Sequence, residues 1–186
     1  MRRKAFTLIE LLVVIAIIAI LAAIVAPNAF RAIEKAKVAA TIRDYRSIET
    51  AAMAYYVDTG DWPADCGTSP CTALITNDGS PGWNGPYLEK WPRAKWGGVY
   101  LFREDVDGTS TVGGFNWGAT TAVSPVRVVS ISGVTCTTSA TTADIAKTAA
   151  GKIDVEIDGT VGQNAGGVRY ALTTPTTTVY ILVSAD

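Results

Sequence analysis

FTLIELLVVIAIIAILAAIVAPNAF, residues Phe6 to Phe30, follows the basic pentapeptide MRRKA. Within it, Leu11 to Ala26 is sixteen consecutive uncharged apolar residues. A helix rises about 1.5 Å per residue, so about twenty such residues cross a hydrocarbon core of roughly 30 Å. The run is long enough to span a membrane. Arg2, Arg3 and Lys4 keep the leading end cytoplasmic by the positive-inside rule, which puts the chain from about Arg31 onward on the other side. A secretory signal peptide also begins with basic residues and an apolar core. Here no small-x-small site closes the run, because Ala26 is followed by Pro27, and Glu10 sits inside it. A plain anchor accounts for everything except Glu10. A carboxylate at mid-membrane costs about 2.5 to 3.5 kcal/mol on translocon-derived scales, so Glu10 calls for a partner.

The rest of the chain narrows the chemistry. Among 186 residues there is no His, which removes His-based acid–base catalysis, His-dependent triads and His metal sites. Without the three leader charges, 13 basic side chains face 17 acidic ones, a net charge of −4. A mildly acidic body offers no overall electrostatic footprint for nucleic acid, and none is expected as a partner. Of three cysteines, Cys66 and Cys71 share one loop and Cys136 lies far from both. In an oxidising compartment the turn-prone GTSP between Cys66 and Cys71 favours a bridge between them, with Cys136 left as an odd thiol. Three unpaired thiols is the alternative left open. Asp105, Asp107 and Gly108 open like a calcium loop, but no Glu closes a twelve-residue loop, so a solvated turn is expected and no metal or cofactor is assigned.

Lys4-Ala5-Phe6-Thr7-Leu8-Ile9-Glu10, followed by Leu11-Leu12-Val13-Val14-Ile15, resembles the class III signal of type IV pilins and type II secretion pseudopilins. The resemblance implies that a prepilin peptidase cuts between Ala5 and Phe6, leaves the apolar helix attached, and that the new Phe6 amine is N-methylated. Ala5 stands where members of the family have Gly. The resemblance also implies that Glu10 neutralises the Phe6 amine of a neighbouring subunit in a filament. Two charges buried apart are costly, whereas two buried together are tolerable. Pro27 matches the expected kink, and it removes a backbone donor, so the helix should bend or locally melt there.

From Ala32 to Val57, Ile33, Ala36, Ala40, Ile42, Tyr45, Ile48, Ala52, Tyr55 and Tyr56 recur at three- and four-residue spacing among charged residues, the pattern of an amphipathic helix. Gly60 and Pro63 end it. A long connection, 61–98, carries Trp83, Trp91 and Trp96 as well as Cys66 and Cys71. Its end, GWNGPYLEKWPRAKWGGVYLF from Gly82 to Phe102, partly resembles the segment that leads into the first strand of the major pseudopilin. Tryptophans in such a loop staple it to its domain or, in the rival reading, stack on a ligand. Strands are expected at Val99–Arg103, Val126–Ile131, Val168–Leu172 and Thr178–Val183. Thr142–Asp158 reads as helix or strand, and helix is preferred although Gly151 interrupts it.

The expected fold is α+β, a long N-terminal helix packed through its second half on an antiparallel sheet. Its parts are a cleaved leader (1–5), an apolar helix half (6–30) and an extracytoplasmic domain (31–186), with the helix reaching about residue 60 and the sheet occupying 99–186. The resemblance implies a non-enzymatic subunit of a type IV pilus or type II secretion pseudopilus. It would start as a single-pass inner-membrane protein and end in an extracellular or periplasmic homo-oligomeric filament. Its partners would be the prepilin peptidase and the assembly platform and ATPase of the machinery. The alternatives are a membrane-anchored binding protein or a minor adhesive pilin that uses the Trp-rich loop.

Overall fold

The computed structural model describes residues 7–66, 70–105, 111–112, 115–116, 126–135, 148–159, 167–170 and 176–185. Two compact units divide the chain, Met1–Lys37 and Val38–Asp186. The helix α1, Leu8–Thr59, is a single element of 52 residues and contains Pro27. The helical backbone is unbroken at the proline, so the lost donor does not melt the element there. In the first unit every described apolar residue from Leu8 to Ile33 is exposed, including Leu8, Ile17, Ile24 and Phe30.

In the second unit α1 has a buried stripe: Val38, Thr41, Ile42, Tyr45, Ile48, Ala51, Ala52 and Tyr55. The three- and four-residue spacing is as read, but four expected members are not buried: Ile33, Ala36 and Tyr56 are exposed and Ala40 is half-buried. Ile33 is 53% exposed, ahead of the point where the second unit begins. Tyr56 is 41% exposed because its ring lies outside the stripe, stacked on Trp62 at 4.8 Å. Gly60 ends the helix at φ +81°, a left-handed conformation that suits glycine, and donates its N–H to the Tyr56 carbonyl at 2.9 Å.

Four antiparallel strands form the main sheet in the order β1-β4-β6-β5: β1 Tyr100–Asp105, β4 Val126–Thr135, β5 Val168–Tyr170 and β6 Thr176–Ala185. All four lie at the expected places, and β4 and β6 run several residues longer than read. A two-stranded ribbon, β2 Thr111–Val112 with β3 Phe115–Asn116, was not foreseen, since two-residue strands carry no periodicity. Alternation places Tyr100 and Phe102 of β1, and Val179 and Ile181 of β6, inward beside Val129 and Ile131 of β4. These side chains share one core with Ile42, Tyr45, Ile48 and Ala52 of α1. The register of β4 against β6 shifts between Ile131 and Val134, where Gly133 adopts φ +78° and a Cβ would meet the Trp96 carbonyl at 3.0 Å. The irregularity makes room for the incoming loop.

A second helix, α2 Ala149–Asp158, fills the helical part of the ambiguous stretch; 142–147 lie outside the described residues. Thr148 caps it by accepting the Gly151 N–H at 3.2 Å, and Gly159 closes it in the left-handed region at φ +76°. Gly151 is buried within it. Asp158 then reaches the sheet edge, its Oδ2 accepting the Val168 N–H at 3.0 Å.

Ile48 is wholly buried between α1 and the sheet. Ile48→Ala is expected to destabilise the protein by about 2 to 5 kcal/mol, read from urea unfolding in detergent followed by tryptophan fluorescence.

Candidate functional site

The N-terminus of α1 is built from Thr7 and Glu10. Glu10 Oε2 accepts the Thr7 N–H at 2.8 Å and the Thr7 hydroxyl at 2.7 Å, while the Glu10 N–H donates to Thr7 Oγ1 at 3.3 Å. This is a reciprocal capping box, with Thr7 as N-cap and Glu10 three residues later. It answers orphan donors at the end of the helix. The pattern Thr-x-x-Glu stands plainly in the sequence, but reading Glu10 as a lone charge in an apolar run hid it. Glu10 Oε1 accepts no hydrogen bond among the described residues. Ala5 and Phe6 lie outside the described residues, and so do Asp107, Gly108 and Cys136.

Behind the cap, thirteen large aliphatic side chains from Leu8 to Val25 stand exposed around the helix. A helix apolar on all sides needs an apolar surrounding. In this segment α1 is long and apolar enough to cross a membrane, and none of the segment is buried within the protein.

The loop after α1 is closed by the disulfide Cys66–Cys71, with Cα atoms 5.3 Å apart. Cys71 is fully buried, and the Cys66 N–H donates to the Phe102 carbonyl at 2.9 Å. Another outward carbonyl of β1, that of Tyr100, accepts the Trp91 indole N–H at 3.1 Å. The loop thus covers an edge that would otherwise offer unpaired carbonyls to another strand.

The indole N–H groups of two further tryptophans are committed in the same way. Trp83 Nε1 donates to the Ala73 carbonyl at 2.9 Å, and Trp96 Nε1 donates to Thr41 Oγ1 of α1 at 3.0 Å. Trp62 lies between the Tyr56 ring and the Arg127 guanidinium, which sits 4.8 Å from its centroid. Arg127 is held in turn by Glu104 at 3.0 Å. A short 3-10 turn, Thr72–Leu74, buries Leu74 against Ala51 and Tyr55, and the Leu74 carbonyl accepts the N–H groups of Tyr87 and Leu88. These rings staple the loop, as the first of the two readings had it.

Polar groups in this region are tied up structurally. Burial pushes the Tyr100 and Tyr45 hydroxyls well above the ordinary tyrosine value, so both stay neutral. At Asp78 burial opposes the charge, but the Ser80 N–H and the Tyr55 hydroxyl outweigh it and hold the carboxyl below its usual range.

Residues 1–26 match the prokaryotic N-terminal methylation motif, and residues 32–114 match the family described as PilW, C-terminal. In both segments the chain resembles type IV pilin-like proteins. Its two matched segments coincide with the capped apolar helix and with the part that runs through the amphipathic half of α1, the stapled loop and β1. Among solved structures, the major Type IV pilin PilA1 from Clostridium difficile is 26% identical to this pilin-like chain, the match covering 83% of this chain and 98% of that one, with a TM-score of 0.43. No curated protein matches the chain.

Because the bridge spans a separation of only five residues, the loss of chain entropy on closing it corresponds to about 2 kcal/mol. Cys66→Ser is expected to lower stability by about that amount, measured by urea unfolding without reductant. In the same variant the Cys66 to Phe102 contact should loosen, seen as faster amide exchange at residue 66.

Proposed function

We propose that this protein is a structural subunit that is cut between Ala5 and Phe6, N-methylated at Phe6, and polymerised through α1 into a type IV pilus or a type II secretion pseudopilus. The observation that carries the reading is an apolar helical segment, exposed on every side, that coincides with the matched N-terminal methylation motif. Before assembly the lipid bilayer supplies its apolar surroundings, with the body outside the cytoplasm. In the filament, neighbouring copies supply them. The general features of pilins bring with them a prepilin peptidase and, for assembly, a platform and an ATPase.

The cap at Glu10 fits the charge-pairing role. Oε2 is used within the chain, and Oε1 is left to accept a neighbour's Phe6 amine. An ion pair of this kind is strongest where the dielectric is low, as in lipid or a filament core. The binding-protein alternative has less support, because the indole N–H groups of Trp83, Trp91 and Trp96 are spent on the protein's own groups.

Intact mass of the membrane-extracted protein is expected to begin at Phe6 with one added methyl group. A start at Met1 in cells with an active prepilin peptidase contradicts the reading. Glu10→Gln keeps the shape and the Thr7 bonds but not the charge. It is expected to leave membrane insertion intact while filaments, counted by electron microscopy at equal expression, fall at least about tenfold. Filaments of normal yield and length would rule out charge pairing.

A further inference from the structure

The sequence holds one Asn–Gly pair, Asn84–Gly85, in the stapled loop. An asparagine is most open to attack by the next backbone nitrogen when that nitrogen belongs to glycine, because no Cβ hinders the approach. A folded chain permits the attack when the glycine N–H is not held in a hydrogen bond and the asparagine side chain can turn toward it. Both conditions are met. Asn84 is exposed, and neither its side-chain amide nor the Gly85 N–H has a hydrogen-bond partner among the described residues. The glycine is fixed by space, since a Cβ at Gly85 would lie 2.7 Å from Trp83 Cζ2 and 2.8 Å from Tyr87 Cδ2. Those two rings meet edge to face with their centroids 5.6 Å apart.

The comparable pairs that the structure describes are closed. Gly79, after Asp78, donates its N–H to Asn77 Oδ1 at 2.8 Å, and Gly159, after Asp158, donates to the Val155 carbonyl at 2.9 Å. Each also follows a carboxylate, a weaker electrophile than an amide. Asn28 lies inside α1, where the next N–H belongs to the helical ladder.

We infer that Asn84 is a site of spontaneous deamidation, converted with time into aspartate and isoaspartate. The Gly85 nitrogen gives its proton to water and attacks Asn84 Cγ. The Cγ–Nδ2 bond breaks, ammonia leaves, and a five-membered succinimide closes. Water then opens the ring, so one water is consumed for each ammonia released and nothing is oxidised or reduced. Addition at Cγ restores the ordinary backbone with an aspartate side chain. Addition at the backbone carbonyl carbon of residue 84 leaves the main chain running through the former side chain, as isoaspartate.

Both products put a carboxylate near one already present. The Asn84 N–H donates to the Tyr87 hydroxyl at 2.9 Å, and that hydroxyl donates to Asp58 Oδ2 at 2.9 Å. Isoaspartate also adds a methylene to the main chain immediately before the residue wedged between Trp83 and Tyr87. The ring pair is forced apart, and with it go the bonds that anchor this end of the loop: the Trp83 indole N–H to the Ala73 carbonyl, and the Tyr87 and Leu88 N–H groups to the Leu74 carbonyl. The chemistry belongs to the single chain and does not rest on the filament reading. Under that reading it marks each copy in a filament with its age.

The test incubates the full chain in detergent micelles, in mildly alkaline buffer at physiological temperature, beside the same chain unfolded in urea and beside Asn84→Gln. Peptide mass mapping follows residue 84, where deamidation adds about one mass unit, and labelling by isoaspartyl methyltransferase reports isoaspartate. The folded chain is expected to react at residue 84 within about fivefold of the rate of the unfolded one, since nothing has to open for the attack. Asn84→Gln is expected to show neither the mass gain nor the label there, because its longer side chain must close a slower six-membered ring. In the aged, unmutated chain, amide exchange at Tyr87 and Leu88 is expected to rise at least about threefold, whereas aged Asn84→Gln keeps its protection. Three results overturn the inference. The first is a folded chain that lags the unfolded one by more than about fivefold, which means that the fold protects the site. The second is deamidation concentrated at other residues while residue 84 stays unchanged. The third is a smaller rise in exchange at Tyr87 and Leu88 once residue 84 has been converted, which means that the loop end does not loosen.

Discussion

Thirteen exposed aliphatic side chains between Leu8 and Val25 are the constraint on which everything else in this protein depends. Left in water, they cost well over about 10 kcal/mol at roughly 1.5 to 3 kcal/mol for each fully exposed side chain. A single chain cannot remove that cost, because the residues ring the helix and no one face can be turned inward. The segment must be covered by lipid or by other copies of itself. A bilayer and a bundle of like helices are interchangeable as apolar surroundings, so under the proposed function one segment would serve first as an anchor and then as a filament core. The cap at Thr7 and Glu10 belongs to the same logic, since it satisfies backbone donors where water cannot.

Beyond Val38 the same helix obeys a different rule. Its apolar residues retreat to one stripe, and that stripe organises the sheet through Tyr45, whose hydroxyl reaches the Leu182 carbonyl of β6 at 2.9 Å. It organises the loop through Thr41, which accepts the Trp96 indole N–H. The disulfide and the tryptophans hold a long connection down on β1 and so seal one edge of the sheet, while Asp158 seals the other at Val168. Under the proposed assembly through α1, sealed edges would keep strand pairing from competing with helix association.

Much of this was legible in the sequence because it rests on local pattern. The apolar run, the helix end at Gly60, four strands within a few residues of their positions, and the short Cys66–Cys71 loop all follow from neighbours along the chain. What escaped depends on contacts between distant residues or on competing signals at one residue. Ile33, Ala36 and Tyr56 fit the helical period yet are exposed, since periodicity shows neither where the second unit begins nor how far around the helix the buried stripe extends. The indole partners were hidden because Trp96 and Thr41 are 55 residues apart. Thr7 was overlooked although its pattern with Glu10 is local, because the hydrophobic context drew attention to the charge.

The claim that the apolar half of α1 exchanges lipid for sister copies is tested most directly by a photo-crosslinking amino acid at position 17, in the middle of the exposed run. After illumination, the membrane fraction should yield lipid adducts of the single chain, and sheared filaments should yield adducts between two chains at that position. Adducts from residue 17 to the body of the same chain in both fractions would contradict the claim, because the segment would then be covered from within.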